Sequence, residues 1–197
     1  MSSAKSMIKL GLVLAAYAVV SCTVLAAINN FTAPKIEVNQ TNKRTEMMKK
    51  IMPQADTFEK VENFLQSDDA SISIDFVYAA KKDGKVVGAV AQVTGPTYDK
   101  ATIILGLDES LTVTGMDFLE LSDSPGFGLK ANSSSYTLSN GKTFYGQFAG
   151  LDSTKGFIKG ETYDAISGAT ITSEGVAKLM TAGTKSITAY LKEAGNE

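Results

Sequence analysis

Residues 71–93 read SISIDFVYAAKKDGKVVGAVAQV, and their pattern is the clearest indication of the fold. Apolar and polar residues alternate over residues 71–80, which is the two-residue period of a strand with one buried face. A second apolar run fills residues 86–93, and Asp83-Gly84-Lys85 between the runs is a typical hairpin turn. The stretch therefore predicts two antiparallel strands joined by a tight turn.

The same pattern continues towards the C-terminus. Residues 101–107 and 111–121 form a further pair of strand-like runs around Asp108-Glu109-Ser110. From Ile171 onward, apolar residues recur every three or four positions, which predicts a long amphipathic helix. An antiparallel sheet that packs against such a helix has an α+β fold.

Towards the N-terminus, residues 10–28 read LGLVLAAYAVVSCTVLAAI and contain no charged residue. As a helix this segment is about 28 Å long, close to the thickness of the hydrocarbon core of a bilayer. Lys5 and Lys9 precede it, and residues 1–33 contain no acidic residue, so the positive-inside tendency places the N-terminus in the cytoplasm. We therefore expect a single-pass anchor in the cell (inner) membrane, with the rest of the chain extracytoplasmic.

Two other interpretations of this segment remain open. A cleaved signal peptide has a shorter apolar core and small residues at its cleavage site. Val19-Val20-Ser21-Cys22 resembles a lipoprotein cleavage site, which would lipidate Cys22, although the sequence after this cysteine stays apolar. The length of the apolar run favours a retained helix.

A polar segment follows the anchor and ends at Pro53. It carries a narrow apolar stripe at helical spacing, formed by Met47, Met48, Ile51 and Met52. The stripe predicts a stalk helix in residues 34–55, after an anchor in residues 1–33 and before a domain in residues 56–197. A solvated helix without a partner fits the stripe equally well.

The composition excludes many kinds of site. The chain has no His and one Cys, which excludes Ser-His-Asp triads, Cys-His dyads, His-ligated zinc or haem, internal disulfides and Cys-ligated clusters. Residues 34–197 contain 17 basic and 21 acidic residues, which argues against nucleic acid as a partner. We expect no metal site, and chemistry must come from an imported cofactor or from carboxylates, lysines and hydroxyls.

Residues 164–173 read DAISGATITS and lie at the start of the predicted C-terminal helix. The first amides of a helix lack intrahelical partners and carry partial positive charge, so they favour an anion such as a phosphate. Gly168 and Ala169 let a bulky group approach the backbone, and Thr170 places a hydroxyl beside it. A plain N-cap made by Ser or Thr fits the same residues.

Residues 122–128 read SDSPGFG and follow the last predicted strand. Ser-Pro-Gly is first of all a tight turn. Gly126 and Gly128 also permit the close approach of a flat ring or a phosphate. Alone, this motif is a weak signal.

Together the two motifs resemble the FMN-binding domain family, in which FMN is joined covalently to a threonine through its phosphate. The family signature, Asp-x-x-Ser/Thr-Gly-Ala-Thr, matches residues 164–170. The family's turn, an acidic residue followed by Thr-Pro-Gly, an apolar residue and Gly, is similar to residues 123–128. Leu121 occupies a position where His is common, and Ser124 replaces Thr. The resemblance covers residues 8–194.

The resemblance implies a protein similar to the G subunits of Rnf complexes, which couple electron transfer between ferredoxin and NAD to ion movement across a membrane. The C subunits of sodium-translocating NADH:quinone oxidoreductases are similar and generally longer. A non-redox, anchored ligand-binding module is the alternative from another class. In the first interpretation the chain is an electron carrier without catalytic residues of its own. Its partners are the other membrane subunits of the complex and a flavin transferase that attaches the cofactor.

The resemblance also implies the roles of individual residues. Thr170 is the phosphoryl threonine that carries the covalent FMN, and Asp164 helps the transferase to recognise the site. The residues that line the phosphate are Ser167, Gly168, Ala169 and Thr172. In the turn, Gly126, Phe127 and Gly128 border the ring system, and Ser124 is a further cofactor-binding residue.

Overall fold

The computed structural model of the protein describes residues 2–194, which form two units divided between Lys43 and Arg44. Met1 and residues 195–197, at the outer ends of the predicted anchor and domain, lie outside the described residues. Residues 2–194 contain two α helices and a five-stranded antiparallel sheet, so the predicted α+β class is confirmed. The domain limits at residues 33 and 55 stay predictions.

Helix α1 covers Ser2–Ile51 and contains a segment that is long and apolar enough to cross a membrane. The large apolar side chains of this segment, such as Leu14, are exposed, an arrangement that suits surrounding lipid rather than water. Thr23 Oγ1 donates to the Val19 carbonyl at 2.8 Å, so this hydroxyl is satisfied inside the helix. The predicted membrane and stalk helices form one helical element that runs through Pro34.

The strands of the sheet follow one another in chain order, each antiparallel to the next. They are β1 (Thr57–Lys60), β2 (Ser73–Lys82), β3 (Lys85–Pro96), β4 (Lys100–Asp108) and β5 (Val113–Leu121). Strands β2 and β3 form the predicted hairpin, and Asp83 and Gly84 in its turn have φ values of 50° and 78°, the left-handed conformation of such turns. Strand β1 is not predicted, because its four residues TFEK carry too short a pattern.

Helix α2 covers Thr170–Ala194 and packs its apolar stripe on one face of the sheet. Leu179, Met180 and Ile187 are fully buried there against strand residues. Gly175 allows the helix backbone to lie close to the end of β3, since a Cβ at this position would be 2.7 Å from Thr97 Cα. The N-terminal end of α2 is therefore held beside the turn between β3 and β4.

Residues 122–169 connect the sheet to α2 through three short 3-10 helices, Gly128–Asn132, Tyr145–Phe148 and Ser153–Lys155. An aromatic cluster attaches this connection to the core. The ring centroid of Phe148 lies 5.5 Å from that of Phe144 and 5.7 Å from that of Tyr163. Hydrophobic periodicity does not predict this part of the chain, because 3-10 turns are too short to show a repeat.

The opposite face of the sheet packs against the last turns of α1. The second buried cluster consists of Met48, Ile51, Met52, Ala80, Val90 and Ile104. Gly106 makes room for it, since a Cβ there would lie 2.7 Å from Ile51 Cγ2. The apolar stripe of the predicted stalk is therefore buried rather than solvated.

Deleting residues 1–33 is expected to leave a folded and soluble protein, because the apolar segment is lost and the buried end of α1 is kept. Deleting residues 1–52 also removes Met48, Ile51 and Met52, and burial of each such side chain contributes about 1.5–3 kcal/mol. We expect the longer deletion to lower the free energy of unfolding by about 4 kcal/mol or more. Urea denaturation followed by circular dichroism measures the difference, and equal stability of the two proteins would contradict the packing described here.

Candidate functional site

The two sequence motifs come together at one cleft. Its cavity volume is about 600 Å³, within the usual range for a small-molecule site. The residues that line it come from the turn after β3, the turn after β5 and the start of α2. They are Tyr98, Ser124, Pro125, Phe127, Gly128, Gly168, Ala169, Thr170, Ile171 and Thr172.

The start of α2 offers backbone donors to this cleft. The Ala169 carbonyl accepts the first intrahelical bond, from the Ser173 amide at 3.0 Å, so Ala169 occupies the N-cap position. Its methyl side chain cannot accept a hydrogen bond from the first free amides, as a capping Ser or Thr would. The amides of residues 170–172 therefore present the partial positive charge that favours an anion.

The loop before α2 has a defined shape. Gly168 has a φ of 78°, a left-handed conformation that glycine adopts without strain. The Phe127 ring packs against it, since a Cβ at Gly168 would lie 3.5 Å from Phe127 Cδ1. The buried Ser173 hydroxyl accepts from the Ile166 amide at 3.0 Å and donates to the Ala169 carbonyl at 2.9 Å. Thr170, in contrast, is exposed.

The carboxylate of Asp123 joins the three segments around the cleft. It is 4% exposed and accepts hydrogen bonds from Thr97 Oγ1 at 2.6 Å and from the Asp99 amide at 2.9 Å. It also accepts from Thr172 Oγ1 at 2.5 Å and from the Tyr98 amide at 3.4 Å. Burial alone would raise the pKa of Asp123, but the hydrogen bonds from Thr172, Thr97 and the two amides outweigh it and lower the pKa below its usual value.

Gly128 is required beside this carboxylate because of space. A Cβ at Gly128 would lie 2.5 Å from Asp123 Cβ and 2.7 Å from Thr172 Oγ1. Any side chain at this position would therefore push apart the turn after β5 and the first turn of α2. This close approach explains why a glycine ends the SDSPGFG motif.

Gln147 holds the beginning of the loop that leads to α2. Its side chain is 4% exposed, accepts from the Asp164 amide at 2.8 Å and donates to the Asp164 carbonyl at 3.1 Å. The Asp164 carboxylate accepts from Asn140 Nδ2 at 3.0 Å. These contacts place Asp164 in a small separate pocket beside Lys142 and Glu161 rather than in the cleft.

The structure brings together most of the site residues proposed from the sequence. Those that line the cleft are Ser124, Phe127, Gly128, Gly168, Ala169, Thr170 and Thr172. Ser167 is an exposed loop residue, and Gly126, with a φ of 77°, shapes the turn. Sequence reasoning missed the structural roles of Asp123 and Gln147. The acidic residue before Ser-Pro-Gly was a visible signal for the first, whereas nothing around Gln147 distinguishes it from an ordinary polar residue.

Three large apolar side chains remain exposed around the cleft. The exposed fractions of Tyr98, Phe127 and Ile171 are 65%, 58% and 61%. Apolar and aromatic surfaces of this kind are typical of sites that hold flat ring systems. The cleft thus combines backbone donors for an anion with apolar walls for a ring.

The bonding of Asp123 predicts a dependence of stability on pH. Its pKa is lower in the folded protein than in the unfolded chain, so its stabilisation is complete above the unfolded value of about 3.9 and is lost as the pH falls through the folded value. Asp123→Asn is expected to lower the free energy of unfolding at neutral pH by about 1–3 kcal/mol. The variant should also lose less stability than the wild type on acidification. Urea denaturation of the wild type and Asp123→Asn, from neutral pH down to below pH about 3.9, measures this difference. Equal losses of stability on acidification would contradict the role given to Asp123.

Comparisons with known proteins agree with this arrangement. Residues 1–51 match the model of the RnfG N-terminal region, and residues 97–185 match that of the FMN-binding domain, which spans the whole cleft. A Methanosarcina acetivorans protein, named as the G subunit of an ion-translocating oxidoreductase complex, is 29% identical over 180 residues, covering 89% of this chain and 92% of the relative.

Two bacterial relatives are equally similar. The G subunit of the Na(+)-translocating ferredoxin:NAD(+) oxidoreductase complex of Acetobacterium woodii is 29% identical over 190 residues, 87% of each chain. The G subunit of the ion-translocating oxidoreductase complex of Escherichia coli K12 is 29% identical over 185 residues, 87% of this chain and 86% of the relative. The chain is therefore similar to the G subunits of these complexes over most of its length, and its residues 97–185 and 1–51 match the FMN-binding domain and the RnfG N-terminal region.

Proposed function

We propose that the protein is the membrane-anchored flavoprotein subunit of an ion-translocating oxidoreductase complex of the ferredoxin:NAD type, with FMN joined to Thr170 through a phosphoester. The observation that carries the proposal is the position of the exposed Thr170 at the uncapped start of α2, in the cleft that also contains the SDSPGFG turn. The names of the relatives, all G subunits, favour this complex over the NADH:quinone oxidoreductase.

The residues present fit the phosphate of FMN. A phosphoester on Thr170 keeps a negative charge, and the amides of residues 170–172 lie where that charge is stabilised. Gly168 and Ala169 present little side-chain bulk on the same side of the cleft. Ser167 is the nearest exposed hydroxyl earlier in the loop and would contribute a further donor.

The apolar part of the cleft fits the ring system of FMN. Phe127, Tyr98 and Ile171 would provide the walls. FMN, when bound, supplies one- and two-electron transfer, and the protein supplies binding, orientation and tuning. We assign no proton-transferring or nucleophilic side chain of this chain to the electron transfer itself.

Attachment of the cofactor requires an activated donor and a flavin transferase. Thr170 Oγ1 would form a bond to the FMN phosphorus of FAD, the bond to AMP would break, and the hydroxyl proton would leave with the AMP. No electrons are exchanged in this step. Asp164, at the start of the loop but outside the cleft, is available for recognition by the transferase.

The charges around the apolar helix support an extracytoplasmic location for the domain. Lys5 and Lys9 precede the membrane segment, which favours a cytoplasmic N-terminus and an extracytoplasmic FMN domain. Covalent attachment suits this location, because FMN lost outside the cytoplasm cannot be replaced from the cytoplasmic pool. The other membrane subunits of the complex would then deliver and accept the electrons.

Thr170→Ala is expected to abolish covalent flavin, seen as loss of fluorescence under ultraviolet light from the protein band on a denaturing gel. The fold should survive, because Thr170 is an exposed residue and such a substitution changes stability by no more than about 0.5 kcal/mol. Thr170→Ser keeps the oxygen and should retain part of the labelling.

Thr181→Ala is the matched control, since Thr181 is another exposed threonine of α2 and lies outside the cleft. This variant should be labelled like the wild type. Covalent flavin on Thr170→Ala would move the attachment to another hydroxyl. Absence of flavin from the wild type made with an active transferase would favour the non-redox ligand-binding module.

A cytoplasmic N-terminus predicts the outcome of proteolysis in unlysed spheroplasts. A protease added outside spheroplasts should digest the part of the chain after residue 34 while a cytoplasmic marker protein stays intact. Digestion only after lysis would reverse the orientation and place the FMN domain in the cytoplasm.

A further inference from the structure

We infer that Asp123 and Gln147 are positioning residues for the flavin, because they fix the two ends of the segment 164–172 that carries Thr170. The inference rests on the proposed function and extends it to residues that do not line the cleft. Both side chains are polar, both are 4% exposed, and both bond to the ends of this segment. A buried polar group of this kind holds its partners firmly, since breaking its bonds leaves it unsatisfied.

Asp123 fixes the C-terminal end of the segment. Thr172 lies in the same helical turn as Thr170, and its hydroxyl donates to Asp123. The other bonds of the carboxylate, from Thr97 Oγ1 and the Asp99 amide, attach it to the turn between β3 and β4. The first turn of α2 therefore cannot shift along the sheet without breaking bonds to a buried charge.

Gln147 fixes the N-terminal end. Its amide group bonds to both the N–H and the C=O of Asp164, as a neighbouring strand would. It lies on the 3-10 helix next to Phe148, whose ring is fully buried in the aromatic cluster. The position of Asp164 is thereby tied to the core.

Between these two ends the attachment residue is left free. Ser173 ties Ile166 and Ala169 to the helix, whereas the Thr170 hydroxyl makes no hydrogen bond within residues 2–194. A phosphoester linker has several rotatable bonds, so the orientation of an attached ring depends on a fixed attachment point as well as on the walls of the cleft. Release of either end of the segment should increase the mobility of the ring.

Time-resolved fluorescence anisotropy of the attached flavin tests this inference. The full chain is produced with an active flavin transferase and purified in detergent, as wild type, Asp123→Asn and Gln147→Met. We expect the rapidly depolarised fraction to rise about twofold or more in both variants, because the attachment point is less well fixed. The extent of labelling should fall in the same two variants.

Two substitutions on the opposite face of the sheet are the matched controls. Asp117 and Gln92 are each 9% exposed and hydrogen-bonded, to Lys50 and to Arg44 respectively. Asp117→Asn and Gln92→Met therefore disturb buried polar contacts whose partners lie outside the segment 164–172. Thermal unfolding of all proteins shows whether the losses of stability are comparable.

Increased flavin mobility in Asp123→Asn and Gln147→Met, but not in the controls, supports the inference, as does about tenfold lower labelling than in the controls. If Asp123→Asn does not fold, Thr172→Val takes its place in the comparison, and if Gln147→Met does not fold, Gln147→Glu takes its place. Each replacement removes a single hydrogen bond at the same end of the segment. Wild-type mobility in these variants, or an equal increase in the controls, would overturn the inference. Wild-type protein without covalent flavin would instead overturn the proposed function, and the inference with it.

Discussion

The buried carboxylate of Asp123 is the interaction on which the cleft depends. Three segments that are distant in sequence meet at it: the turn between β3 and β4, the turn after β5 and the first turn of α2. A buried charge is tolerated only where hydrogen bonds replace its hydration, and here hydroxyl and amide donors do so. The same bonds favour the ionised carboxylate and so lower the pKa of Asp123. Glycine is required at positions 128 and 175 because a Cβ there would collide with the segments that meet at Asp123.

The two faces of the sheet pack against different helices. One face packs against α2 and presents the cleft at the N-terminal end of that helix, while the other packs against the last turns of α1. The polar residues Gln92 and Asp117 lie on the second face, where they bond to Arg44 and Lys50. The end of α1 is thus part of the folded domain rather than a free connector. This arrangement explains why a Met-rich stripe occurs in an otherwise polar segment.

Much of the fold and part of the site follow from the sequence alone. The alternation in β2 and β3, the Asp83-Gly84 turn and the three- and four-residue spacing in α2 are local patterns, so they predict their elements well. Strand β1 and the 3-10 helices are too short to show such a pattern. The two motifs place Thr170 and Phe127 in one site, although the packing of the Phe127 ring against Gly168 is visible only in the fold. Gln147 could not be predicted, because its role arises from two bonds to a backbone 17 residues away.

Peptide mapping by mass spectrometry shows directly whether Thr170 carries FMN. Cleavage of the wild-type protein after Lys159 and Lys178 releases residues 160–178, which contain the whole segment around Thr170. After production with an active flavin transferase, we expect this peptide to be heavier by FMN less one water, with fragmentation placing the group on Thr170. An unmodified peptide from cells in which the transferase labels a known acceptor protein, or a flavin placed on Ser167 or Thr172, would contradict this expectation.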